Sequence, residues 1–242
     1  MLYSQGEYDI RLEWGIKGIE ILAPISDVII IVDVLSFSTC VDIATSRGAI
    51  IYPYRWKDHT ATEYAKKNNA ELASFQRGFK DGYSLSPGSL LDIIPKTRLI
   101  LPSPNGSTLS LSTGNTPTLC GCLRNAAATA AFAKRLGQKI AIIPAGEQWT
   151  DHTLRVAFED LAGAGAIISC LDGNLSPESE SGLSTFDRIK DTLFENLKKC
   201  SSGKELIERG FHEDIELASQ LNVSDNVPIL KDHYFIGHST SG

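Results

Sequence analysis

Five β-branched residues stand in a row at Val28–Val32, and the run ends on Asp33. A strand with one solvated face alternates apolar and polar side chains. A run with no polar face is buried on both sides, as in a parallel sheet covered by helices. Asp33 is therefore expected at the carboxyl tip of a buried strand, where a carboxylate needs a partner or water. Ser38 and Thr39 behind it offer N-cap hydroxyls for a helix that runs to Ser46 and stops at Gly48.

The same alternation recurs along the chain. Apolar runs at 49–54, 71–75, 98–101, 118–120 and 139–144 read as further strands, and a short strand near 234–236 precedes a polar tail. Helices are expected at 57–68, 124–136, 153–162, 185–199, 203–208 and 213–221. The pattern predicts an α/β fold: three layers, α/β/α, around a mostly parallel or mixed sheet. Residues 1–242 read as a single unit, or as two intimately packed α/β halves. The stretch 171–182 carries three Ser, two Gly and one Pro, and is expected to be a mobile loop or sub-boundary. A second long loop, 76–91, contains Gly78, Gly82, Pro87 and Gly88.

Composition removes several classes. The chain has 242 residues, 42% hydrophobic and 21% charged, with net charge −6. An acidic chain without a basic block does not neutralise phosphates, so no nucleic-acid partner is expected. No run approaches ~18 apolar residues, so no membrane span is expected. The first ten residues lack the basic and apolar regions of a secretory leader. Five scattered cysteines are no disulfide framework and point to a reduced, cytoplasmic setting.

In parallel sheets, ligands bind beyond the carboxyl ends of the strands. Three such junctions are polar: Asp33, Ser36, Ser38 and Thr39; Ser103, Asn105, Gly106 and Ser107; and Gly121 through Asn125. Glycine and hydroxyl residues before a helix leave backbone N–H groups free to face an anion. Each junction alone is equally a plain cap or turn. Glu159–Asp160 is a second carboxylate pair, on the helix after the 145–152 loop. With Asp33 it could supply oxygen ligands to Mg²⁺, which keeps several waters and uses few carboxylates; the alternative is a solvated helix face. His152 is the one histidine placed near these groups, and an ordinary loop histidine is the simpler reading. Dinucleotide, Walker A, cysteine-phosphatase, aspartyl-phosphatase and serine-elbow motifs are all absent, which favours water as the nucleophile.

Several segments resemble the ComB-like 2-phosphosulfolactate phosphatase family. Asp33-Val34-Leu35-Ser36-Phe37-Ser38-Thr39 is similar to its Asp-Val-Leu-Arg-Ala-Thr-Thr stretch, and Asn105-Gly106-Ser107 to its Asn-Gly-Thr. Asn125-Ala126-Ala127-Ala128, Ala145-Gly146, Glu159-Asp160-Leu161, Ala164 to Ile167, Gly210-Phe211 and Val227-Pro228 follow in the family's order. The resemblance implies Mg²⁺-dependent hydrolysis of 2-phosphosulfolactate to 3-sulfolactate and phosphate, on the route to coenzyme M. The expected partner is a small anionic phosphate ester; a homo-oligomer is left open. It implies metal and catalytic roles for Asp33, Glu159 and Asp160. Phosphate or substrate contacts fall to Ser36, Ser38, Thr39, Arg77, Asn105, Gly106, Ser107 and Asn125. Ser36 and Thr108 stand where the family carries Arg, Gln76 where it carries Glu, and Ser84 where it carries Asp. Two missing cations remove bidentate anion contacts, so two readings follow: a phosphatase, or an anion-binding relative with weakened catalysis that serves as a sensor or scaffold.

Overall fold

The computed structural model describes residues 2–56, 58–79 and 81–239. Its strands are β1 (Ile10–Leu12), β2 (Val28–Val32), β3 (Ile50–Tyr54), β4 (Glu71–Leu72), β5 (Arg98–Pro102), β6 (Thr118–Gly121), β7 (Ile140–Pro144), β8 (Glu147–Gln148), β9 (Leu154–Arg155), β10 (Asn226–Lys231) and β11 (Tyr234–Ser239). Its helices are α1 (Gly15–Leu22), α2 (Phe37–Ser46), α3 (Thr60–Lys67), α4 (Gly106–Ser110), α5 (Ala126–Leu136), α6 (Phe158–Ile168), α7 (Pro177–Ile189), α8 (Leu193–Leu197), α9 (Ser201–Glu208) and α10 (His212–Ser219).

Nine strands form one sheet in the order β1-β7-β2-β6-β10-β11-β3-β5-β4, and β8 and β9 form a small separate hairpin. The expected α/β layering is present. Val28, Ile30 and Val32 pack on one side with Ile167 of α6 and Phe186 of α7. Ile29 and Ile31 pack on the other with Ile19 and Leu22 of α1 and Leu109 of α4. All five β2 side chains are fully buried, as a run without a polar face requires.

The sheet is mixed in a specific way. β1, β7, β2 and β6 are parallel, and so are β3, β5 and β4. The antiparallel β10–β11 hairpin joins these blocks, through Ile229–Leu119 on one side and Phe235–Ile51 on the other. Three antiparallel ladders between β6 and β3 make the two blocks run in opposite senses. Five steps of ordinary twist separate β2 from β5, and at roughly 20–25° each they turn β5 through more than about 90°. The carboxyl tips of β2 and β5 are thereby brought toward each other instead of lying on opposite edges. Helix α2 packs inside this coil against β3, β6, β10 and β11, so Phe37 through Thr45 are all buried.

Several expected boundaries shift. The 153–162 helix begins at Phe158, because Leu154–Arg155 pairs with Glu147–Gln148. The expected 185–199 helix is two: α7 begins at Pro177 and ends at Ile189, and α8 follows at Leu193, so half of the stretch read as a loop at 171–182 is helical; Ser176 caps α7 by accepting from Ser179 N at 3.1 Å. The 57–68 helix begins at Thr60; its expected first residue, Lys57, and the last residues of the polar tail, 240–242, lie outside the described residues. Among the described residues no helix is long and apolar enough to cross a membrane.

Candidate active site

Asp33 leaves β2 and is held from two sides. Its own N–H donates to Ser38 Oγ at 2.9 Å, while Ser38 N donates to the Asp33 carbonyl at 2.7 Å. Thr39 Oγ1 donates to the Val34 carbonyl at 2.7 Å. These bonds fold residues 33–39 into a tight strand-to-helix turn, in which the Leu35–Ser36 peptide is cis. The carboxylate accepts from Phe37 N through Oδ1 at 3.2 Å and from Gly106 N through Oδ2 at 2.9 Å. Phe37 opens α2 and Gly106 opens α4, so both donors are helix-start amides, which favour a negative charge.

Burial nonetheless dominates. It pushes the Asp33 carboxyl up to about 7, with the nearby Glu147 adding to the rise and the two amides opposing it. Carboxylates raised by burial and by each other leave a site short of positive charge.

Asp160 sits behind this turn. Its Oδ1 accepts from Val34 N at 2.8 Å and its Oδ2 from Gly146 N at 2.9 Å. One carboxylate thus braces the turns after β2 and β7. Burial raises its pKa, as do Asp33 and Glu159, against the pull of the two amides. Gly146 is suited to this donation: its φ is +69°, and a Cβ there would lie 2.9 Å from the Arg155 carbonyl.

A cavity of about 290 Å³ opens over Asp33. Its walls include Ser36, Arg77, Ser103, Asn105, Glu147, Ser202, Glu205 and Arg209. The Glu147 carboxyl is raised by burial, and the neighbouring Asn105 side chain opposes that rise. Arg77 Nη1 reaches Ser36 Oγ at 3.0 Å and Asp214 Oδ2 at 2.6 Å. Asp214 also accepts from Ser86 Oγ at 2.5 Å, so Arg77 is fixed by a braced partner. Ser84 Oγ donates to the Arg77 carbonyl at 2.9 Å and steadies the loop from below.

Of the residues singled out from sequence, Asp33, Ser36, Arg77, Ser103 and Asn105 line the cavity. Ser38, Thr39, Ser107 and Asn125 are buried and bonded to protein. Ser107 Oγ donates to the Leu101 carbonyl at 3.0 Å, and Asn125 accepts from Cys122 N at 2.9 Å while donating to the Asn226 carbonyl at 3.1 Å. Gly106 contributes its amide to Asp33. Glu159 is buried near the Cys200 thiol, which itself donates to the Leu197 carbonyl at 3.0 Å. His152 is exposed, with φ +65°, and lines a neighbouring cavity with Trp14 and Thr108. Glu147 and Arg209 were missed. Glu147 lies just past the tip of β7, the position that the strand-tip rule marks; Arg209 has no such signal.

The acidic groups can be weighed against a divalent ion. Among the described residues no group of three or more His, Cys, Asp or Glu converges as a metal centre. Asp33 and Glu147 alone share the cavity wall with the arginines and Glu205. Two carboxylates with water completing the shell suit Mg²⁺, and would not suit Zn²⁺ or a protein-only Ca²⁺ cage. Both carboxylates retain accepting capacity after the bonds described.

A family model described as 2-phosphosulpholactate phosphatase matches residues 20–233. The 2-phosphosulfolactate phosphatase of Methanothermobacter thermautotrophicus is 28% identical over 210 residues, covering 86% of this chain and 88% of the relative. A probable 2-phosphosulfolactate phosphatase of Carboxydothermus hydrogenoformans is 31% identical over 207 residues, covering 83% and 84%. One from Thermotoga petrophila is 26% identical, covering 89% and 96%. The matched span takes in the Asp33 turn, the Asn105–Gly106 turn, Glu147 and the Glu159–Asp160 pair together, and on it the chain belongs to the 2-phosphosulpholactate phosphatase family.

Proposed function

We propose that the chain is a Mg²⁺-dependent phosphatase that hydrolyses 2-phosphosulfolactate, or a closely similar small acid phosphate, to 3-sulfolactate and phosphate. The observation that carries this reading is the cavity in which Asp33 and Glu147 face Arg77. Carboxylates there can hold a hard cation, and a guanidinium beside them can hold a phosphoryl oxygen. Asp33 and Glu147 would hold Mg²⁺, with Glu159 adding negative charge behind them. When bound, Mg²⁺ supplies Lewis-acid polarisation of the phosphoryl group and countercharge to it.

The remaining work is positioning. Phosphoryl transfer passes through a loose transition state, so catalysis comes mostly from alignment and fixed charge. Arg77, locked by Asp214 and Ser36, presents its guanidinium without having to be ordered on binding. The Asn105 amide and the Ser36 hydroxyl offer neutral contacts to ester and carboxylate oxygens. Asp160 contributes by fixing the turn that carries Asp33.

The absence of cations at Ser36 and Thr108 favours a second reading, anion binding without turnover. Phosphate release from 2-phosphosulfolactate by the purified protein in Mg²⁺ separates the two. Turnover supports the phosphatase. Thermal stabilisation by 3-sulfolactate or phosphate with no release supports the binder.

A further inference from the structure

We propose that Arg209 reads the second anionic group of the substrate, its sulfonate, and gives up Glu205 to do so. This rests on the phosphatase reading above and names the residue that selects the substrate.

The cavity has two arginines in different states. Arg77 is 11% exposed and tied to the buried Asp214, so it lies deep and its charge is already matched. Arg209 is 52% exposed, and its salt-bridge partner is Glu205, one helical turn earlier and 64% exposed, at 2.8 Å. An exposed pair of this spacing holds by a factor of only about two. A sulfonate entering the cavity, charged at every accessible pH, would compete easily. The planar guanidinium matches two oxygens of such a group at once.

The backbone fixes where Arg209 stands. Gly210 has φ +83°, Gly210 N donates to the Ile207 carbonyl at 2.9 Å, and Phe211 N donates to the Leu206 carbonyl at 2.8 Å. This pair of hydrogen bonds ends α9 sharply at Glu208, with Arg209 as its C-terminal cap and Phe211 folded back. The Phe211 ring lies 5.7 Å from the guanidinium carbon of Arg77 and 5.7 Å from that of Arg209. One ring therefore spaces a deep cation and a rim cation along the same cavity wall. A ligand with a phosphate at the Asp33 end and a second anion a few bonds away is the shape that spacing accepts.

The test compares 2-phosphosulfolactate with 2-phospholactate, which carries a methyl group in place of the sulfonated carbon. In Arg209→Gln the ratio of kcat/KM for the two esters is expected to fall roughly tenfold, through KM and not kcat. Arg209→Lys, which keeps the charge without the fork, is expected to fall between. Glu205→Gln is expected to lower KM for the sulfonated ester. A ratio unchanged in Arg209→Gln overturns the proposal. Should wild-type protein cleave neither ester, the phosphatase reading fails, and calorimetric titration with 3-sulfolactate against lactate tests Arg209 independently. A preference for 3-sulfolactate lost in Arg209→Gln upholds the proposal; a wild-type protein without that preference overturns it.

Discussion

The amide of Gly106 donates to Oδ2 of Asp33 at 2.9 Å, tying the turn after β5 to the turn after β2 across 73 residues of sequence. These strands belong to parallel blocks of opposite sense, so this bond is where the coiling of the sheet becomes chemistry. A Cβ at position 106 would stand 2.2 Å from Phe37 Cδ1 and 2.8 Å from Asp33 Oδ2. Gly106→Ala is therefore expected to cost about 1–3 kcal/mol of stability by overpacking and to shift the Asp33 carboxylate. Urea denaturation reads the first effect and phosphate release the second; unchanged values for both would show that this approach is not tight.

Asp160 is a brace, and its removal has a different signature. Asp160→Asn places an NH₂ group against two backbone donors, Val34 N and Gly146 N, and leaves at least one of them buried and unpaired. A loss of about 1–3 kcal/mol is expected from that desolvation, visible as a lower urea midpoint with an unchanged slope. Asp160→Asn protein refolded at low temperature should retain Mg²⁺ binding, since the Asp160 oxygens are occupied by amides.

The pH dependence of stability follows from Asp33. Its folded pKa, about 7, lies above the ordinary carboxylate value of 3.8. A carboxyl raised on folding contributes stability that is complete below about pH 4 and is lost as pH rises through 7, where the native state must ionise at a cost the unfolded chain does not bear. Asp42 and Asp160 are displaced in the same direction by burial. In chelator, Tm is expected to fall between pH 5.5 and 8.5, and Mg²⁺ at pH 8 is expected to restore it. A flat or rising profile in chelator would contradict this.

Glu147→Gln tests the cation. The substitution removes a carboxylate from the cavity and a repulsion from Asp33. The Mg²⁺ concentration for half-maximal activity is expected to rise at least tenfold, roughly what losing even an outer-shell partner costs. The same variant should be more stable than wild type in chelator at pH 8. A titration unchanged in Mg²⁺ would remove Glu147 from the site.

Much of this could be read from the chain itself, for identifiable reasons. β2 was plain because all five of its side chains are apolar, and Asp33 because a carboxylate ends that run. β1 was missed because Arg11 sits at its centre, although the side chain is 1% exposed and hydrogen-bonded to Ser26 Oγ. β10 was missed because Pro228 reads as a strand breaker; it is tolerated where β10 meets β6 through a single pair. That hairpin governs the coil of the sheet, so the meeting of the β2 and β5 tips was beyond local pattern. The hydroxyls of Ser38, Thr39 and Ser107 were read as ligand contacts because capping and anion binding use the same residue types. In the structure all three are spent on backbone groups of the strand ends and turns: Ser38 on Asp33 N, Thr39 on the Val34 carbonyl and Ser107 on the Leu101 carbonyl. Arg209 was invisible because only the fold brings the end of α9 to the mouth of the cavity.

Asp33 is the centre of the proposed reaction, and phosphate release from 2-phosphosulfolactate in Mg²⁺ by wild type and Asp33→Asn tests that directly, with circular dichroism confirming that both are folded. Wild type is expected to turn over, with kcat reduced about a hundredfold or more in the variant. A folded Asp33→Asn protein that retains kcat within about threefold of wild type would contradict it.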